Sequence, residues 1–277
     1  MSIADASTMA SLWRVGYTPR NHRAGGAMSN VQHLVTTTGR RIAYHQHAGQ
    51  GPGVVFLGGL RTDMTGSKAL YLQNWAQQQG RAFLRFDYSG HGQSSGRFED
   101  GAIGDWFADA QAALTLTNGP QILIGSSMGG WISLLLARTM PERVVGLIGI
   151  ASAPDFTNDI RAALNETELE KLQNTGFLAL QSDYSDDPTI ITRRLIDDGN
   201  THLIFNAPLH LPFPSRFLQG TADRDVPPSK AIALLNHAQG PDIQLALVKG
   251  ADHRFSTPAC LAMIAAAIED ITQGTKT

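Results

Sequence analysis

The chain has 277 residues, 22 Lys and Arg against 24 Asp and Glu, a net charge of −2 and one cysteine. That length holds one large α/β domain or two small ones, and balanced charge without a basic run leaves no electrostatic footprint for nucleic acid or an anionic membrane. No window reaches the roughly 18 apolar residues of a membrane span, so stable insertion in a bilayer is not expected; a lone Cys260 excludes an internal disulfide and suits helix packing in a reducing compartment.

Residues 1–30 read as a tail. Arg14, Arg20 and Arg23 stand against Asp5 alone in the first 27 residues, which fits a mitochondrial transit peptide. The preferred reading is a disordered tail, or a start at Met28, and hence the cytoplasm; the mitochondrial matrix is the alternative. VQHLVTTTGRRIAYHQHAG, from residue 31, alternates like an antiparallel hairpin turning near Thr38 and Gly39. Beyond it, short apolar runs alternate with helix-period segments, the mark of a mostly parallel sheet covered on both faces. The strand candidates are VVFLG (54–58), AFLRF (82–86), QILIG (121–125), VVGLIGI (144–150), RFLQG (216–220) and IQLALV (243–248).

DWFADAQAALTLT carries Trp106, Ala110, Ala113, Leu114 and Thr117 at helical spacing, one apolar stripe to lay on a sheet. WISLLLAR, SKAIALLNHA from Ser229 and PACLAMIAAAIEDI from Pro258 read likewise. Residues 154–214 break the rhythm with two charged helical stretches, NDIRAALNETELEKLQ and ITRRLIDDGN, and a Pro-rich return. They read as a cap inserted into a core formed by 31–153 and 215–277. No repeat or low-complexity tract is present.

Chemistry concentrates where QILIG runs into GSSMGGW. Gly125, Ser127 and Gly129 fit G-x-S-x-G, the pattern of a nucleophile elbow, after an apolar strand and before a helix. The turn strains its central residue and pushes that side chain out, which makes Ser127 the candidate nucleophile and Ser126 a filler. A serine hydroxyl needs a base, and the base needs a carboxylate to orient it. Asp223 follows RFLQG and His253 follows IQLALV, both at carboxyl ends of strands. Asp225 is the rival acid, whereas Asp252, adjacent to the histidine, is expected to point away. The acyl-transfer oxyanion needs backbone donors, and Met128 N–H and Leu60 N–H, the latter beyond Gly58 and Gly59, are the candidates. His45 and His47 form an H-x-H without a third ligand and read as hairpin surface; His91 reads as a brace for its own loop, FDYSGHGQS. Neither a phosphate loop nor a dinucleotide fingerprint is present, so no cofactor and no metal is expected.

The stretches GLRTDMTGSKA (59–69), RAFLRFDYSGHGQSSG (81–96), PQILIGSSMGGW (120–131) and PERVVGLIGIA (141–151) resemble the α/β-hydrolase superfamily, and the resemblance extends over residues 31–272. It implies an eight-stranded, mostly parallel sheet flanked by helices, with a helical cap. It also implies a triad of Ser127, Asp223 and His253. The implied activity is cleavage of esters or thioesters through an acyl-enzyme, by an S-acyl (palmitoyl) protein thioesterase or a small-molecule carboxylesterase such as an acyl-glucuronide esterase. A non-catalytic ligand-binding protein is the third alternative. The partner in either enzyme is a small-molecule or protein-borne acyl substrate. Two departures stand out: the cap region matches poorly, and Gly58 replaces the family's proline in the oxyanion loop.

Overall fold

The computed structural model of the chain describes residues 31–182 and 185–274; the expected tail at 1–30 lies outside the described residues. β1 (Gln32–Val35) and β2 (Arg41–His47) form the expected hairpin, with Gly39 at φ 80° donating its N–H to the Thr36 carbonyl. β3 (Gln50–Leu57) leads through a loop to α1 (Ser67–Gln78), a helix that the apolar pattern did not reveal. Gly66 occupies its N-cap without a side-chain bond, so the usual Ser, Thr or Asp signal is missing. β4 (Arg81–Phe86), α2 (Ile103–Leu114), β5 (Gln121–Ser126), α3 (Met128–Thr139) and β6 (Val144–Ile150) follow as expected, except that α2 stops three residues short of Thr117.

The segment between β6 and the next sheet strand departs from expectation. Its first charged stretch is two helices, α4 (Phe156–Ala163) and α5 (Glu166–Thr175), because Asn165 starts a new one: its side chain accepts from Glu168 N–H at 2.9 Å, and Glu168 returns the bond at 3.0 Å. An unforeseen antiparallel ribbon comes next, β7 (Phe177–Ser182) against β8 (Ser185–Thr192), with Leu178 opposite Ile191. The second charged stretch is helical only from Arg193, as α6 (Arg193–Gly199), with Thr192 as its N-cap.

β9 (Leu209–His210), β10 (Ser215–Gly220), α7 (Pro228–His237), β11 (Ala238–Gln239), β12 (Ile243–Val248) and α8 (Pro258–Gly274) complete the chain. The main sheet has eight strands in the order β1-β2-β4-β3-β5-β6-β10-β12, antiparallel at β1/β2 and β2/β4 and parallel from β4 onward. Alternate residues serve opposite faces. Val54, Phe56, Ile122 and Ile124 pack with Leu72 of α1 and Ile264 and Ile268 of α8, while Val55, Leu57 and Leu123 pack with Trp106, Trp131 and Leu195. Burial on both faces is why the central strands are continuously apolar. Cys260 is buried in the α8 layer, as expected. Among the described residues, no helix is long and apolar enough to cross a membrane.

The crossing of β5 and α3 over β3 leaves no room for side chains. A Cβ on Gly129 would strike the carbonyls of Leu57 and Gly58, which are backbone and cannot rotate away. Gly129→Ala is expected to cost about 3 kcal/mol or more, seen as a thermal midpoint lowered by roughly 5–10 °C. Gly39→Asn, in open space and at a φ that Asn tolerates, is expected to stay within about 1 kcal/mol in the same melts.

Candidate active site

Ser127 sits between β5 and α3 at φ 56°, ψ −118°, a conformation that costs an ordinary residue of order 1–3 kcal/mol. The surroundings hold it there. Its N–H donates to Ile150 O at 2.9 Å, and its carbonyl accepts from Gly130 N at 2.9 Å and Ala153 N at 3.1 Å. Gly125 lies so close to Gly129 O and Ser133 Oγ that no side chain fits, and Ser126 is buried beneath the turn. The Ser127 side chain is left half-exposed on the outer side.

Parallel pairing puts the carboxyl ends of β3, β5, β10 and β12 on one edge, and the loops that leave them converge there. His253 Nε2 lies 3.2 Å from Ser127 Oγ, and its Nδ1 lies 2.9 Å from Asp223 Oδ2. The structure thus brings together the three residues expected to meet. Asp223 is buried, and its four acceptor positions are filled: Oδ1 takes N–H bonds from Asp225 and Val226 at 2.9 and 2.8 Å, and Oδ2 takes His253 and the Gln219 amide. Asp225 contributes a backbone donor to this arrangement. Asp223, Asp225 and His253 bring potential ligand atoms within 4.8 Å of one another, but a carboxylate with every lone pair engaged has none to give a cation. Asp252 is exposed and accepts from Phe255 N–H at 3.2 Å, while His253 Nδ1 pairs with Asp223. Lys68, at the start of α1, donates to Arg254 O and ties the histidine loop to the rest of the core. His45 and His47 are half-buried on β2; His47 bonds Arg81 O and stacks on Phe83, and no third ligand joins the pair among the described residues.

The loop after β3 lies against the serine, and a Cβ on Gly59 would come within 3.4 Å of Ser127 Cβ. Met128 opens α3, where first-turn N–H groups have no intrahelical acceptor, and among the described residues neither Met128 N–H nor Leu60 N–H donates elsewhere. Both are therefore free to donate to a bound group.

His91 does more than brace its own loop. Its Nδ1 faces Ser89 O at 3.1 Å and its Nε2 faces Arg61 N–H at 3.1 Å. A carbonyl can only accept and an amide N–H can only donate, so the ring is neutral with its proton on Nδ1. Arg61, adjacent to Leu60, stands at φ 55° under this bond. Its guanidinium reaches Thr189 Oγ1 at 3.1 Å and Pro188 O at 3.3 Å on β8, and lies over the Phe98 ring. A cavity of about 230 Å³ lined by Arg61, Thr62, His91 and Phe98 lies beside the loop and is not lined by Ser127. A lone His–Gly in a loop gave no sequence signal for this contact.

Burial pushes His91 from 6.5 down to about 4. Its neutral form therefore contributes stability in full above about pH 6.5 and loses it as the pH falls through about 4, a swing of about 3 kcal/mol. Asp87, which accepts from Met64 N–H and Gln93 N–H, acts the other way, because burial raises it from 3.8 to about 6 and acid then favours the fold. The two nearly cancel in the native chain. His91→Gln is expected to be less stable than the native protein at pH 7 and to close that gap toward pH 4 in melts recorded side by side; a gap independent of pH would contradict the neutral, buried imidazole.

The Hydrolase_4 family, described as "Serine aminopeptidase, S33", matches residues 54–195, half of the chain. The rat protein named "Palmitoyl-protein thioesterase ABHD10, mitochondrial" is 33% identical over 83% of this chain and 78% of its own, and the human protein of that name is 32% identical over 83% and 76%. Among solved structures, mouse alpha/beta hydrolase domain-containing protein 10 superposes with a TM-score of 0.83 at 31% identity, covering 89% of this chain and 100% of that one. A crystal structure from Agrobacterium vitis S4 gives 0.84 at 38% identity, over 87% and 98%. With the sheet order and the elbow already described, these likenesses agree on one conclusion: the chain belongs to the Hydrolase_4 family of α/β hydrolases and is homologous to the ABHD10 proteins.

Proposed function

We propose that the chain cleaves carboxylic esters or thioesters by a double displacement at Ser127. His253 Nε2 takes the Oγ proton as Oγ bonds to the substrate carbonyl carbon, and Asp223 holds the imidazolium that forms. The carbonyl oxygen becomes an oxyanion facing Leu60 and Met128 N–H, with the amino-terminal end of α3 adding a favourable dipole. Collapse breaks the bond to the leaving alcohol or thiol, which receives the proton from His253. Water, deprotonated by the same imidazole, then attacks the acyl-serine and releases the acid. The observation that carries this reading is the continuous line from Oγ through the imidazole to Asp223, at 3.2 and 2.9 Å.

The substrate class follows from the relatives. They are named palmitoyl-protein thioesterases, and we extend a long-chain S-acyl substrate to this chain. Residues 154–214 serve as its cap, held to the oxyanion loop through Arg61 and to the core through Asp198, which accepts from Gly104 N–H at 2.7 Å. The single buried cysteine fits an enzyme of a reducing compartment, whether cytoplasm or mitochondrial matrix.

Ser127→Ala and His253→Ala are each expected to lower kcat on the order of a million-fold, with the double variant scarcely worse, because the residues act as a unit; additive losses would contradict the mechanism. A fluorophosphonate probe is expected to label Ser127 in the native chain. Initial rates on acyl-CoA, S-acyl peptide and p-nitrophenyl esters of graded length are expected to rank long-chain thioesters first, and a preference for short esters would assign the chain to the carboxylesterases instead.

A further inference from the structure

Gln219 is an anomaly in β10. It follows Phe217 and Leu218 near the carboxyl end of the strand, is fully buried, and its amide makes an uneven set of contacts. Nε2 donates to Asp223 Oδ2 at 2.9 Å, to Val226 O at 2.9 Å and, more weakly, to Gly220 O at 3.3 Å, while Oε1 has no partner among the described residues. Turning the amide over would aim an oxygen at three oxygens, so the orientation is forced. An unpaired buried acyl oxygen is costly, and nothing in the packing of β10 asks for it. What the residue supplies in return is a hydrogen-bond donor on the oxygen that also receives His253 Nδ1.

We propose that Gln219 is a positioning residue for the acid–base pair: its Nε2–H shares Asp223 Oδ2 with His253, fixing the direction of that oxygen and moderating its hold on the imidazolium. The assignment rests on the Ser127–His253–Asp223 mechanism proposed above. A carboxylate oxygen with two donors offers each less electron density than one with a single donor. Without Nε2–H, Asp223 is freer to rotate and attracts a protonated His253 more strongly, so the base stays charged to higher pH. Among the described residues the other titratable groups around the pair are Arg224 and Asp225 in the Asp223 loop, Asp252 and Arg254 beside His253, Cys260 on α8 and Lys68 on α1, and a change at 219 replaces none of them. A purely structural role, tying the loop at 220–226 to β10, would affect melting and leave the pH response of the reaction in place.

The test is the pH profile of kcat/KM on one thioester, for the native chain and for Gln219→Met, which keeps the length and removes both amide atoms. The acid limb is expected to move up by about one pH unit in the variant; a limb superimposable on the native one overturns the proposal, whatever happens to the melting temperature. Should the Met variant not fold, Gln219→Glu serves instead. Its carboxyl, once ionised, has no proton to donate to Asp223 Oδ2 and adds a negative charge beside the pair, so the acid limb is expected to move up at least as far as in the Met variant. An acid limb that stays in the native position overturns the proposal equally. Fluorophosphonate labelling in the same samples separates the failures: an unlabelled Ser127 in the native chain refutes the mechanism, whereas a labelled Ser127 with unmoved limbs refutes only the part assigned to Gln219.

Discussion

The backbone at Ser127 must leave a sheet strand and enter a helix within one residue, and the left-handed turn that does so constrains everything around it. Neither Gly125 nor Gly129 can bear a side chain, the loop after β3 must pass beside the turn with a glycine of its own, and Ile150 must present its carbonyl to the strained N–H. The same turn holds Oγ clear of the sheet and brings the first N–H of α3 beside it. A relaxed residue at this position would either continue the strand or begin the helix in register, and in both cases the hydroxyl would be buried.

The sheet and the three side chains that meet at Ser127 were legible because each rests on a local signal. Continuous apolar runs mark strands covered on both faces, small residues around a serine mark the turn, and Asp223 and His253 each follow a recognisable strand end. What was illegible depends on partners distant in sequence. The His91 bond to Arg61 crosses 30 residues and the Arg61 contact with Thr189 crosses 128; no local pattern announces either. β7 and β8 were missed because polar residues dilute their apolar alternation, so that only mutual pairing makes them strands. α1 lacked a capping side chain, and Asn165 divided a stretch whose periodicity ran on past it. Gln219 was visible as a polar residue in a strand, but its meaning needed the position of Asp223.

The site is built from loops at one edge, and its rigidity comes from hydrogen bonds between those loops. Arg61, Ser127, Ala151, Asp155 and Phe255 all hold positive φ without being glycine, and all lie just beyond the carboxyl ends of β3, β5, β6 or β12. Asp87 holds the loop at Met64 and the turn at Gln93 together, and Asp155 accepts from Ile204 and Phe205, so buried carboxylates act as tie points where packing alone would leave gaps. The contact of Arg61 with β8 joins this layer to the segment between β6 and β10.

The order of the strands along the chain has a consequence for biosynthesis. The hydroxyl-bearing turn is translated before residue 130, but the carboxylate and the imidazole come only with β10 and the loop after β12, at positions 223 and 253. β3 to β6 and the serine turn thus precede in the chain both side chains that face the hydroxyl. The three side chains that meet at Ser127 are therefore complete only once β10 has paired with β6 and β12 has closed that edge of the sheet.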